Sequence, residues 1–324
     1  MGADAADRVV GRRGRPVTLN RRGALRLSAV AAASLLTACE GNQAREASPS
    51  TKTSPQSTSS PVSAETSDVE GVTSEATPSA PPAAAVPSRE EIVDTFAGRV
   101  PSTFGLEVPG VVLRHPGKGV ALTFDLCGGP QGEKFDHDLW TLLQDLAIAS
   151  TFFVNSRWLE ANPTLARELG ADPLIEIANH GHEHRPLTVD GRAAYGIGGT
   201  RDAGAAYDEV AAPVAALTDA GGAAPLWFRA GTAHCDDVGV RIAEALGQVV
   251  VNFSINGDAG ATFSAQQVAT EVNRARDGDI VIVHGNRPGS GTAGGLARVL
   301  PAMLDRGATF VQLDDVLPSI RNPS

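Results

Sequence analysis

Cysteine is scarce in this chain of 324 residues: there are three, Cys39, Cys127 and Cys235. So few cannot form the disulfide framework of a small cross-linked scaffold. Basic charge is also short, with 27 Lys and Arg against 37 Asp and Glu, which argues against nucleic acid or anionic lipid as the main partner. The apolar stretch Leu27 to Ala38 is too short to span a bilayer as a mature helix. No Gly-x-Gly-x-x-Gly opens the first helix of the folded part and no P-loop is present, so nucleotide-binding readings lose their usual support.

What is there begins with an address. Asn20-Arg21-Arg22-Gly23 carries a twin arginine ahead of the apolar stretch, and Leu36-Thr37-Ala38-Cys39 looks like a bacterial lipobox. Residues 1–38 are therefore expected to be a twin-arginine lipoprotein signal peptide, with Cys39 lipidated. Residues 39–89 are rich in Ser, Thr, Pro and Ala and nearly devoid of large apolar side chains. Such a segment cannot bury enough surface to offset chain entropy, so it reads as a disordered tether. Without the seven arginines and two aspartates of the leader, 20 basic and 35 acidic residues remain, a net charge of −15. A neutral or cationic substrate suits that surface. The expected location is the extracellular or cell-wall side of the membrane, held by the lipid, and a monomer is expected. Residues 90–118 form a lead-in, 119–318 one catalytic domain and 319–324 a tail.

In the folded part, short β-rich runs alternate with helical periodicity. Strands are expected at Val120–Phe124, Ser150–Val154, Leu174–Ala178, Pro225–Phe228, Val249–Ile255, Asp279–Val283 and Thr309–Leu313. Helices are expected at Phe135–Ile148, Trp158–Leu169, Tyr207–Ala220, Val238–Leu246, Ala265–Ala275 and Leu296–Leu304. Repeated strand–helix units imply an α/β fold with about seven parallel strands and helices outside, either closed into a distorted (β/α) barrel or open.

The residues with chemical character all stand at C-terminal strand ends, the face on which barrel enzymes build their sites. Thr123-Phe124-Asp125 ends the first strand. Asn179-His180-Gly181-His182-Glu183-His184 follows the third, with His180 and His184 spaced to converge on one ion; neutral imidazole is the commonest protein ligand for transition metals. Phe228-Arg229 brings a guanidinium suited to hold a carboxylate ionised, and Val283-His284 places one histidine after an apolar strand. Taken singly, each has a structural explanation: a helix cap for Asp125, a solvated turn for one histidine of the cluster, a core contact for His284.

In this order the segments resemble the NodB-homology polysaccharide deacetylases, carbohydrate esterase family four, over roughly Gly119 to Leu317. Thr123-Phe124-Asp125-Leu126-Cys127-Gly128-Gly129-Pro130 is similar to the family's Thr-Phe-Asp-Asp-Gly-Pro segment. His180 and His184 match its His-x-x-x-His, Phe228-Arg229 its arginine segment, Ile282-Val283-His284 its late Leu-x-His, and Phe253 to Asp258 its acidic fourth segment. The resemblance implies hydrolysis of N- or O-acetyl groups on a cell-envelope or extracellular polysaccharide, with a divalent metal, zinc being the expected ion, on His180 and His184. Asp125 would be the base steered by Arg229, His284 the acid, and Asp258 its orienting partner.

One departure stands out. The family's second aspartate is its third metal ligand, and here that position is Leu126. Asp125 itself or water is the expected replacement, with Asp236 and Asp258 as further candidates. Cys127 ranks last, because in an oxidising compartment Cys127 and Cys235 are expected to form a disulfide. Two rivals share the pattern: a catalytically impaired glycan-binding lipoprotein on the same fold, for which Leu126 speaks, and a small-molecule amidohydrolase.

Overall fold

The run Ala121–Leu126 (β1) is buried at every position, as a strand covered on both faces must be. Its alternation sorts two layers. Leu122, Phe124 and Leu126 point to a cluster with Leu139, Leu143, Leu296 and Leu300 from the flanking helices. Ala121 points to the other face, where it meets Phe153, Ala178, Trp227 and Ile280. Thr123 and Asp125 share the face of Ala121 by the two-residue period, so polar groups enter the inner layer near its C-terminal end.

The computed structural model describes residues 86–317. The chain divides into two units, Met1–Ala76 and Thr77–Ser324, and the described residues lie in the second. The leader, Cys39, nearly all of the tether and the tail fall outside them. The other strands of the main sheet are Ser150–Val154 (β2), Ile175–Asn179 (β3), Trp227–Phe228 (β4), Val249–Val250 (β5), Ile255–Asn256 (β6) and Ile280–His284 (β7). Their order is β5-β4-β3-β2-β1-β7-β6, and every pairing is parallel. With helices packed outside, this curled seven-stranded sheet is the expected distorted (β/α) barrel. Among the described residues no helix is long and apolar enough to cross a membrane.

Several boundaries differ from the sequence expectation. Two expected helices are each split by proline: Ser156–Ala161 stops before Pro163–Gly170, and Ala203–Ala211 before Val214–Gly221, for which Pro213 is the N-cap. A proline's missing N–H and fixed φ favour the start of a helix over its interior. The expected strand Val249–Ile255 is two strands on opposite edges of the sheet. Between them Val251 N–H donates to Phe228 O (2.8 Å) and Ser254 N–H to Ile280 O (3.0 Å), so this apolar run carries the chain across the gap between the edges. The expected last strand reduces to one bridge, Val120 with Phe310, before the short helix Leu313–Val316.

The lead-in belongs to the same folded unit. Its helix Arg89–Phe96 carries a Ser88 capping box and packs on Ala203–Ala211, with Arg89 paired to Asp208 at 2.9 Å. Farther on, Phe104–Gly105 forms a two-stranded antiparallel ribbon with Cys235–Asp236.

Candidate active site

Asp125 leaves the end of β1 almost wholly buried, 3% exposed. An isolated carboxylate there would be forced neutral; Arg229, which follows β4 and is 0% exposed, prevents it. Arg229 Nη1 donates to Asp125 Oδ1 (2.7 Å) and to Thr123 Oγ1 (3.0 Å). Its Nε donates to Val251 O (3.1 Å) and its Nη2 to Asn252 O (3.0 Å), while its guanidinium lies 4.0 Å from the centroid of the Phe153 ring. Burial would raise the Asp125 pKa, but His180, Arg229 and His284 outweigh it and hold the carboxyl below the ordinary aspartate range. It is an ionised carboxylate with one oxygen committed to Arg229.

The other oxygen, Oδ2, stands 3.5 Å from His180 Nε2. His180 follows β3 and is 1% exposed. Its Nδ1 lies 2.8 Å from Arg229 O; a carbonyl only accepts, so Nδ1 carries a proton and Nε2 faces the site, and although burial would lower the ring's pKa, Asp125 and Cys127 outweigh it and raise it. That arrangement of a second ring nitrogen is typical of metal-ligating histidines. The loop beyond is tightly determined. Asn155, at the end of β2, donates from Nδ2 to His180 O (2.9 Å) and Gly181 O (2.7 Å). The buried Glu209 accepts from the backbone N–H of Glu183 (2.9 Å) and Arg185 (3.1 Å), on either side of His184. His184 itself sits at φ 62°, where a non-glycine residue needs such support, and its ring meets that of His180 edge-on with centroids 4.8 Å apart. His182 turns instead to a neighbouring cavity of about 220 Å³ with Arg185, Thr200 and Glu209.

Cys127 joins this cluster. Its Sγ is 3.6 Å from His180 Nε2, and the donor atoms of Cys127, His180 and His184 all lie within 4.8 Å of one another, a group able to hold a metal ion. Burial works against the thiolate, yet the imidazoles of His184, His180 and His284 bring the thiol well below the ordinary cysteine range. The expected Cys127–Cys235 disulfide is not formed: both are free. Cys235 is held elsewhere, buried in the ribbon with Gly105 and bridged to Leu187, where burial pushes its thiol up to about 12.

His284 ends β7 beside β1, in register with Asp125. Its Nδ1 is 2.9 Å from Asp258 Oδ1, and its backbone N–H donates to Asp258 Oδ2 (2.7 Å). Thr292 Oγ1 also donates to that carboxylate (2.9 Å). Burial would lower the His284 pKa; Asp258 and Cys127 reverse this and raise it well above the ordinary histidine value. Asp258 is therefore fully engaged and is no metal ligand. Asp236 is likewise excluded, since it caps the helix Asp237–Ala245 through Val238 and Gly239 N–H and accepts from Val189 N–H.

The six residues singled out in the sequence, Asp125, His180, His184, Arg229, Asp258 and His284, thus converge on one end of the sheet. Cys127, ranked last among the replacement ligands in the sequence, lies within the donor cluster, and two residues emerge only in the fold, Asn155 and Glu209 behind it. A buried anionic base, a metal-competent donor set and a carboxylate-held imidazole together suit hydrolysis of an acyl bond.

Residues 113–251 match the polysaccharide deacetylase family model. The resemblance to the polysaccharide deacetylases is real over that span. No curated protein matches the chain. Among solved structures, a CE4 family pseudoenzyme from Bacillus anthracis, BA3943, is 19% identical at a TM-score of 0.54, over 64% of this chain and 69% of that one. The Bc1960 peptidoglycan N-acetylglucosamine deacetylase is 20% identical at 0.54, over 64% and 92%. PdaA of Bacillus subtilis, a family 4 carbohydrate esterase, is 19% identical at 0.52, over 64% and 85%. These likenesses establish the deacetylase fold. Because one of them is a pseudoenzyme, activity must be argued from the site residues.

Proposed function

We propose that this chain is a metal-dependent hydrolase that removes acetyl groups from a cell-envelope or extracellular polysaccharide. The observation that carries the reading is the Asp125–Arg229 pair at 2.7 Å set against the His180–His184 donor pair, with the Asp258-held His284 closing the same cluster. A protein that only bound glycan would have no use for a buried anionic carboxylate set beside His180.

The residues present fit a divalent metal. Nε2 of His180 is the ring nitrogen turned toward the cluster, and its 3.6 Å separation from Sγ is close to the ~3.5 Å edge of a tetrahedron built on zinc–nitrogen and zinc–sulfur bond lengths. When bound, such an ion supplies Lewis-acid polarisation of the acetyl carbonyl and makes water a better acid. The chain's own groups do the rest. Arg229 keeps Asp125 ionised and turned so that Oδ2 takes the proton of the attacking water. Asp258, accepting from Nδ1, leaves the Nε2 proton of His284 to be given to the departing amine or alcohol oxygen.

The glycan assignment rests on the family match and on the acidity of the chain after residue 38. Lipidation at Cys39 and a tether ending ahead of the Ser88 cap would hold the domain at the outer face of the membrane within reach of the cell wall. His284→Ala tests the chemistry: acetate release from chito-oligosaccharide or peptidoglycan should fall by ~10²-fold or more with metal content unchanged. Undiminished acetate release would remove His284 from the reaction, and loss of the metal in that variant would make it a ligand instead.

A further inference from the structure

We infer that Cys127 is the third protein ligand of the metal site, so that a thiolate stands in for the carboxylate that Leu126 lacks. This rests on the metal-hydrolase reading above and deepens it. The strand supplies the first reason. Along β1 the side chains alternate, and Leu126 is turned to the helix layer, 0% exposed and packed so closely that a Cβ on Gly285 would lie 3.0 Å from its Cδ2. The next residue on the Asp125 face is Cys127. A donor two residues after Asp125 reaches the cluster where one directly after it cannot.

The second reason is that Cys127 is held there. Its carbonyl accepts from Arg157 Nη2 at 3.0 Å. The turn that follows has Gly128 at φ 64° and Gly129 at φ 74°, and Gly128 packs so tightly on the helix Ser156–Ala161 that an added Cβ would fall 2.4 Å from Trp158 N. The third reason is that the rival donors are occupied. Asp258 and Asp236 are saturated, as described above, and Asp125 gives Oδ1 to Arg229 while its Oδ2 is the base. A thiolate ligand leaves Asp125 free for that work.

The consequence is a change in metal preference. Two imidazoles and a thiolate form a soft donor set that favours zinc and other thiophilic ions over manganese or magnesium, which prefer oxygen.

Cobalt substitution of the purified protein tests this. The expected result is visible d–d absorption together with a near-ultraviolet thiolate-to-cobalt charge-transfer band. In Cys127→Ser that band should vanish, and zinc affinity, read by chelator competition, should fall by ~100-fold or more, since even outer-shell losses cost 10–100-fold. Cys127→Asp should bind metal without the band and shift the zinc-to-manganese affinity ratio toward manganese, and a melting temperature near wild type would show that the variants are folded. Cobalt d–d absorption without a charge-transfer band in the wild-type protein would overturn the thiolate while leaving the metal site standing. No cobalt or zinc uptake by the wild-type protein would overturn the metal-hydrolase reading itself.

Discussion

Asp258 holds His284 at two points, accepting from Nδ1 at 2.9 Å and from the backbone N–H at 2.7 Å. The first bond fixes which ring nitrogen faces the cluster, and the second fixes where the ring stands. The imidazolium therefore persists above the pH at which a free histidine loses its proton. Asp258→Asn keeps the size of the side chain and removes its charge. The basic limb of the kcat profile should move to lower pH and kcat should fall by ~10²-fold, with KM little changed. A profile that keeps its basic limb in place would mean that another group is the acid.

Gly231 lies against the histidine loop, and a Cβ there would be 2.2 Å from the carbonyl carbon of His184. That contact is backbone, so one of the two segments must move. Gly231→Ala should cost about 1–3 kcal/mol of stability and lower metal content out of proportion to the loss of folded protein. Thermal melts and metal analysis on the same sample compare the two effects.

Leu126 shows why the family's aspartate cannot simply be restored. Its side chain faces the apolar layer of Leu139, Leu143 and Phe152. Leu126→Asp should therefore destabilise the protein by about 3 kcal/mol or more and leave zinc affinity in the folded fraction no higher than wild type. Denaturant titration measures the first effect and chelator competition the second.

A half-buried carboxyl at the other end of the sheet gives a pH test remote from the metal. Glu176 accepts from Thr151 Oγ1 (2.7 Å), Trp227 Nε1 (2.7 Å) and Leu313 N–H (2.9 Å). Burial nevertheless raises its pKa from 4.5 to about 7. The folded protein then binds more protons than the unfolded chain between those values, so this group's stabilisation is present at low pH and lost as pH rises through about 7. Unfolding midpoints between about pH 4 and 8 should fall less steeply in Glu176→Gln than in wild type.

Much of this was legible in the sequence because parallel strands buried on both faces read as apolar runs, and the residue that ends each run is exposed to chemistry. Val283-His284 and Ile177-Ala178-Asn179-His180 are of that kind. The short edge strands were not legible. Val249–Val250 and Ile255–Asn256 lie within one continuous β-rich run, and only pairing with different neighbours separates them. Glu209 was missed for a related reason. Its partners Glu183 and Arg185 stand 24–26 residues earlier, and no local pattern marks a carboxylate that braces a distant loop. Cys127 is legible through the period-two alternation from Asp125, while an oxidising compartment favours reading it as half of a disulfide.

The most direct measurement is acetate release from an N-acetylated chito-oligosaccharide or peptidoglycan by the purified protein, taken before chelation, after chelation and after zinc is returned. The expected result is acetate formed with an equal amount of free amine, abolished by the chelator and restored by zinc. A protein that binds the glycan and releases no acetate in any of the three states would contradict the account.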